Sequence, residues 1–95
     1  MANLTNLYYR HLDGGYYRLV TRARSADIDG QEVVVYQHLW PFDPSWWVRE
    51  RQDFESRFST VTPEEITAAM QGDRLAAQQA VDAAKAARRA AKAAQ

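Results

Sequence analysis

Arg10, His11, Tyr16, Arg18, Arg22, Arg24, Tyr36, His38, Trp47 and Arg49 bring guanidinium, imidazole and aromatic groups together in one stretch of chain. Guanidinium forks hold carboxylate or phosphate through paired N–H donors, and aromatic faces stack on planar groups. The chemistry open to such a set is recognition of a small anionic ligand with a planar part, such as a nucleotide or a nucleic-acid end. The competing reading is structural: the rings fill a core with their polar tips outward, and the arginines pair with Asp13, Glu32, Glu50 and Asp53.

Little else in the chain suggests a reaction. Cysteine is absent, which excludes disulfides, thiolate catalysis and thiolate-bound zinc. His11 and His38 have no ordered spacing to acidic ligands, so they carry neither a metal nor an acid–base assignment. Ser25 and Ser45 lack a nucleophile-elbow context, and no glycine-rich phosphate loop is present. No catalytic residue, metal or cofactor is assigned.

The elements that must position these groups are short strands. Glu32–Trp40 is the one long run rich in β-branched and aromatic residues and reads as a central strand, apolar on both faces. Before it, Leu7–Leu12 and Tyr16–Arg24 flank Asp13-Gly14-Gly15, a turn whose possible loop lengths leave the hairpin register open. The two-residue period sets Tyr17, Leu19, Thr21 and Ala23 on one face of the second strand. It sets Tyr16, Arg18, Val20, Arg22 and Arg24 on the other. Pro41-Phe42-Asp43-Pro44-Ser45 breaks the pattern, Trp46–Arg49 resumes it, and Asp53–Phe58 reads as a helical turn and closing strand with Phe54 and Phe58 buried.

At Thr62 the signals change. Thr62 is an N-cap, Pro63 suits the first helical position, and Glu65 completes a capping box. Alanine makes up thirteen of the twenty-eight residues from Ala68 to Gln95, with Leu75 and Val81 the only large aliphatics after Met70. Gly72 either divides this tail into two helices or interrupts one. A helix so poor in anchors is marginal alone, so it needs a surface, either a second copy of the chain or its own strands. Lys85, Arg88, Arg89 and Lys92 share one side and suit an acidic partner or phosphates, or are a solvated stripe complementing the helix dipole. Ala76, Ala80, Ala83, Ala87, Ala90 and Ala94 on the opposing side permit close helix–helix approach, and a homo-oligomer through the tail is expected.

The 95 residues make one small domain with a formal charge of zero, which argues against a general nucleic-acid binder without excluding one. The seven basic residues before Thr62 are all arginine, a choice suited to planar anion recognition and also common in GC-rich genomes. Met1–Leu4 lacks the features of a signal peptide and no run is long and apolar enough to span a bilayer, so a cytoplasmic location away from membranes is expected.

Tyr9-Arg10-His11, Gly14-Gly15, Tyr17-Arg18-Leu19-Val20, Ala23-Arg24-Ser25, Val33-Val34-Val35-Tyr36-Gln37 and Trp47-Val48-Arg49 with Phe54 occur in an order that resembles the small bacterial and phage family of domain of unknown function 1653. The resemblance spans roughly Tyr9 to Phe58. It implies a β-rich, SH3-like fold and brings no activity. The chain departs from the family pattern at the Pro41–Ser45 loop and at Glu50, where proline is usual, and the Ala-rich tail lies outside it.

The combined expectation is an α+β protein: a five-stranded SH3-like β-barrel over residues 7–61 and a helical tail over 62–95, of one or two helices. Its expected role is non-enzymatic binding of a small anionic ligand such as a nucleotide at the arginine and aromatic face. The resemblance adds a phage or prophage setting, in which the ligand is a host nucleotide signal. The alternative is an adaptor or inhibitor of a host protein, for example a defence complex, acting through the tail and the 41–45 loop.

Overall fold

The computed structural model describes residues 7–94; Met1–Leu4, read above against a leader, and the final Gln95 of the tail lie outside the described residues. Five strands, β1 (Tyr8–His11), β2 (Tyr16–Arg24), β3 (Glu32–Trp40), β4 (Trp46–Glu50) and β5 (Phe58–Val61), alternate with three helices, α1 (Arg51–Arg57), α2 (Pro63–Met70) and α3 (Arg74–Ala93). The strands pair antiparallel in the order β4-β3-β2-β1-β5. The class is α+β with a helical C-terminal segment, as the sequence predicts. The sheet is open: β4 and β5 are its two edges, and no ladder joins them among the described residues to close a barrel.

The first hairpin turns through Leu12-Asp13-Gly14. Gly14 N–H donates to His11 O at 2.8 Å and His11 N–H to Gly15 O at 2.8 Å, with Gly14 at φ 109°, a backbone only glycine adopts without strain. The register follows: Tyr8, Tyr9 and Arg10 oppose Arg18, Tyr17 and Tyr16.

A bulge in β2 overturns the expected division of its side chains. Leu19 opposes Tyr36 and Thr21 opposes Val35, which leaves Val20 as an extra residue. Opposed residues share a face, so Arg22, opposite Val34, and Arg24, opposite Glu32, join the inner face that carries Leu19 and Tyr36. Arg18, opposite Gln37, stays on the outer face with Tyr16. Arg18 is therefore parted from Arg22 and Arg24, because one inserted residue resets a period of two.

The core lies on the inner face, where Leu19, Val34, Tyr36, Phe54 and Phe58 are buried together. Helix α1 exists to deliver Phe54 there: Glu50 caps it by accepting from Gln52 N–H and Asp53 N–H, and Phe54 stacks on Phe58 with centroids 4.1 Å apart and planes at 8°. Tyr9, Tyr17 and Tyr36 pack around this pair, edge-on or tilted.

Thr62 caps α2 as read, accepting from Glu65 N–H at 3.2 Å with Pro63 in the first turn. Glu65 does not complete the capping box but accepts the Tyr16 hydroxyl at 2.9 Å, which docks α2 on the outer face. Gly72 lies between two helices, since Asp73 begins α3 by accepting from Ala76 N–H at 3.1 Å.

Helix α3 lies across the inner face of its own sheet. Arg74 Nε and Gln78 Nε2 donate to Pro41 O at 2.8 and 2.9 Å, Val81 is buried beside Gly14, and Arg88 reaches Asp13. Ala76, Ala80, Ala83, Ala87, Ala90 and Ala94 point outward and are exposed.

Candidate functional site

Between the inner face of the sheet and α3 lies a cavity of about 620 Å³. Its sheet wall comes from alternate positions on neighbouring strands: His11 on β1, Tyr17 on β2, Tyr36 and His38 on β3, Trp47 and Arg49 on β4. The Pro41–Ser45 loop adds Phe42, Asp43 and Ser45, and α3 adds Gln78, Val81, Asp82, Lys85, Arg88 and Arg89 at helical spacing.

Gly15 lets the back wall close. A Cβ there would stand 3.2 Å from both His38 Cε1 and Tyr17 Cε1, so the two rings would have to give by a few tenths of an ångström to admit one. The paired glycines thus serve separate needs, Gly14 the turn and Gly15 the approach.

Both histidines are neutral, and their tautomers follow from their partners. His11 Nδ1 accepts Asp13 N–H at 3.0 Å, so its proton sits on Nε2. The Asp13 carboxylate lies 3.5 Å from the same nitrogen without forming an ion pair. Burial pulls His11 down to about 4, against the pull of Asp13. His38 Nε2 accepts Phe42 N–H at 3.0 Å; burial lowers it to about 4, against the Trp40 backbone, which favours the charged form. His38 is thereby committed to holding the loop, whereas His11, whose side-chain bond among the described residues is made at Nδ1, turns Nε2 to the cavity it lines. Burial raises the Tyr17 hydroxyl to about 12, so it too stays a proton donor.

The charges are unequal. Asp13, with a side chain 3% exposed, is held as a carboxylate by Arg88, whose Nε and Nη2 donate to its two oxygens at 3.0 and 2.9 Å. Arg49 Nη1 and Arg57 Nε approach different oxygens of the single Asp53 carboxylate at 2.6 and 3.0 Å, and Arg49 Nε also donates to Tyr36 O–H at 3.2 Å. Burial works against the Arg49 charge, but its bonds to Asp53 and Tyr36 outweigh that and raise its pKa. Arg74 offsets Asp43 at 3.6 Å. Lys85 and Arg89 line the same space with Asp82 and make no ion pair among the described residues. The walls therefore carry an excess of two positive charges, one from the arginine pair sharing Asp53 and one from the α3 side chains.

Of the ten residues read as ligand-binding, His11, Tyr36, His38, Trp47 and Arg49 meet at this cavity. Arg10, Tyr16 and Arg18 are on the outer face, Arg10 with its guanidinium 5.7 Å from the Tyr16 ring centroid and Arg18 donating to Gln37 at 2.7 Å. Arg22 lines a separate cavity of about 350 Å³ of mixed character, with Leu19, Val34 and Phe54 on one side and Arg51 and Glu55 on the other, and Arg24 is exposed. Lys85, Arg88 and Arg89, read as a surface for a partner, face this molecule's own cavity; Lys92 is not among its lining residues. Sequence reasoning missed Asp13, Tyr17, Arg57 and the contribution of α3. Tyr17 was legible in the period of β2; the others depend on contacts remote in sequence.

Among the described residues no three His, Asp or Glu side chains group as a metal would need, and no helix is long and apolar enough to cross a membrane. A family model described as "Protein of unknown function (DUF1653)" matches residues 7–65. No curated protein and no solved structure matches the chain.

Proposed function

The chain belongs to the DUF1653 family of proteins of unknown function, and we propose that it is a non-enzymatic binding module whose cavity takes a small anion with a planar part, such as a nucleotide. The observation that carries this reading is the cavity itself: about 620 Å³, within the range of small-molecule sites, walled by neutral donors and rings with cations in excess. His11 Nε2–H and the Tyr17 hydroxyl are donors that keep their protons near neutral pH, which suits holding an oxyanion better than moving a proton. Trp47, 53% exposed at the mouth, offers a face for a planar group. The same reading treats the five strands as an SH3-like curled sheet covered by α3. In a phage-encoded setting this chemistry suits cytoplasmic sequestration of a host nucleotide signal.

The test is the melting temperature with and without adenine and guanine nucleotides, since a ligand that binds only the folded state raises it. The rise is expected in the full chain and in Arg18→Gln, which alters the outer face, and is expected to be lost in Trp47→Ala and Arg49→Gln. No rise with any nucleotide, or a rise that Arg18→Gln removes, overturns the reading.

The adaptor reading, in which the chain captures or inhibits a host protein, draws support from the outer side of β4. Trp46 and Val48 are 59% and 63% exposed there, next to the 41–45 loop that α3 grips at Pro41. A homo-oligomer would use the exposed alanine side of α3. Sedimentation of the full chain tests this directly: a monomer at all concentrations removes the oligomer.

A further inference from the structure

The family match ends at residue 65, yet one wall of the cavity is built from residues 78 to 89. The matched region supplies the rings, His11 and the Arg49–Arg57 pair. Helix α3, added beyond it, supplies Lys85 and Arg89, the two lining cations without an ion-pair partner among the described residues.

This division separates two kinds of recognition. Arg49 and Arg57 share Asp53, so together they offer a single positive charge, fixed in position by hydrogen bonds at 2.6 and 3.0 Å. That suffices for a monoanion. The second excess charge comes only from α3, where Lys85 and Arg89 outweigh Asp82. A phosphomonoester carries nearly two negative charges near neutral pH, whereas a phosphodiester carries one. In a partly enclosed site, matching the second charge is worth more than in open water.

Building on the binding reading above, we infer that the cavity selects phosphomonoesters bearing a planar ring over the corresponding phosphodiesters, and that Lys85 and Arg89 of α3 are the specificity-determining residues.

The probes are AMP, 3′,5′-cyclic AMP and adenosine, each titrated into the full chain by calorimetry at pH 7.5 and moderate salt. AMP is expected to bind at least tenfold more tightly than cyclic AMP, and cyclic AMP more tightly than adenosine. In the Lys85→Gln/Arg89→Gln double variant the AMP advantage is expected to shrink to within about threefold while cyclic AMP affinity holds. Both side chains lie at a partly open wall, and Lys85→Arg/Arg89→Lys, which keeps both charges, is expected to restore the preference if folding is intact. Equal affinity for AMP and cyclic AMP, or a preference that survives in the double variant, overturns this inference and leaves the binding reading standing. Failure of all three probes to bind overturns this inference, and the binding reading then stands or falls on the melting series with guanine nucleotides.

Discussion

Arg88 on α3 donates from Nε and Nη2 to the two carboxylate oxygens of Asp13 at 3.0 and 2.9 Å, joining positions 75 residues apart. Asp13 sits at the tip of the first hairpin with its side chain 3% exposed, so this contact pins the helical tail to the turn that opens the fold. Removing one partner of such a pair leaves the other buried without compensation. Arg88→Ala is therefore expected to lower the urea midpoint more than Asp13→Asn/Arg88→Ala does, a coupling read from a double-mutant cycle. Faster amide exchange in α3 should accompany the single change; additive effects would show that the contact holds nothing.

The two neutral imidazoles make stability depend on pH. Burial lowers both His11 and His38 to about 4 from an ordinary 6.5. On unfolding each returns to its ordinary value, so between pH 6.5 and about 4 the unfolded chain binds protons that the folded chain does not. Their contribution is fully present above pH 6.5 and is lost as pH falls through that window. Unfolding free energies from urea titrations between pH 7.5 and 4 should decline with a slope approaching two protons, and a flat profile down to pH 4.5 would contradict the assignment.

Phe54 and Phe58 stack at 4.1 Å and both are buried. Phe54→Ala is expected to cost about 3–5 kcal/mol, the range for truncating a buried aromatic. Because α1 buries only this residue, denaturation should be accompanied by loss of protection in α1 and β5. A cost below about 1 kcal/mol in urea titration would mean that α1 does not depend on its ring.

Gly15→Ala sets a methyl 3.2 Å from the His38 and Tyr17 rings. Overpacking of this kind costs about 1–3 kcal/mol. The rings must give by a few tenths of an ångström to admit the methyl, so the variant should show shifted Tyr17 and His38 resonances and a loss of stability no larger than that amount. Unchanged ring resonances in Gly15→Ala would show that the back wall has room to spare.

Much of this architecture was legible because it is local. The Val-rich run of β3 and the Thr62-Pro63 helix start each state their own conformation, since propensity and capping are settled within a few residues; Asp13-Gly14-Gly15 announced a turn but not its loop, which is Leu12-Asp13-Gly14. The Phe54–Phe58 spacing announced a buried pair. Half of the ligand-binding set also falls at the cavity, because alternation along β3 and β4 carries its residues to one side.

Three decisions belonged to the tertiary structure. The bulge at Val20 sent Arg22 and Arg24 to the face opposite Arg18, a change invisible in a strand whose faces are both mixed. The helical tail chose its own sheet because Pro41 O and Asp13 lie within reach of Arg74, Gln78 and Arg88, partners far apart in sequence. The imidazoles of His11 and His38 became fixed neutral donors through backbone N–H groups that only the folded turn and loop present. By itself the sequence determined which segments are strand and which helix; packing decided which side chains face one another, because a face depends on register and a cavity needs two walls.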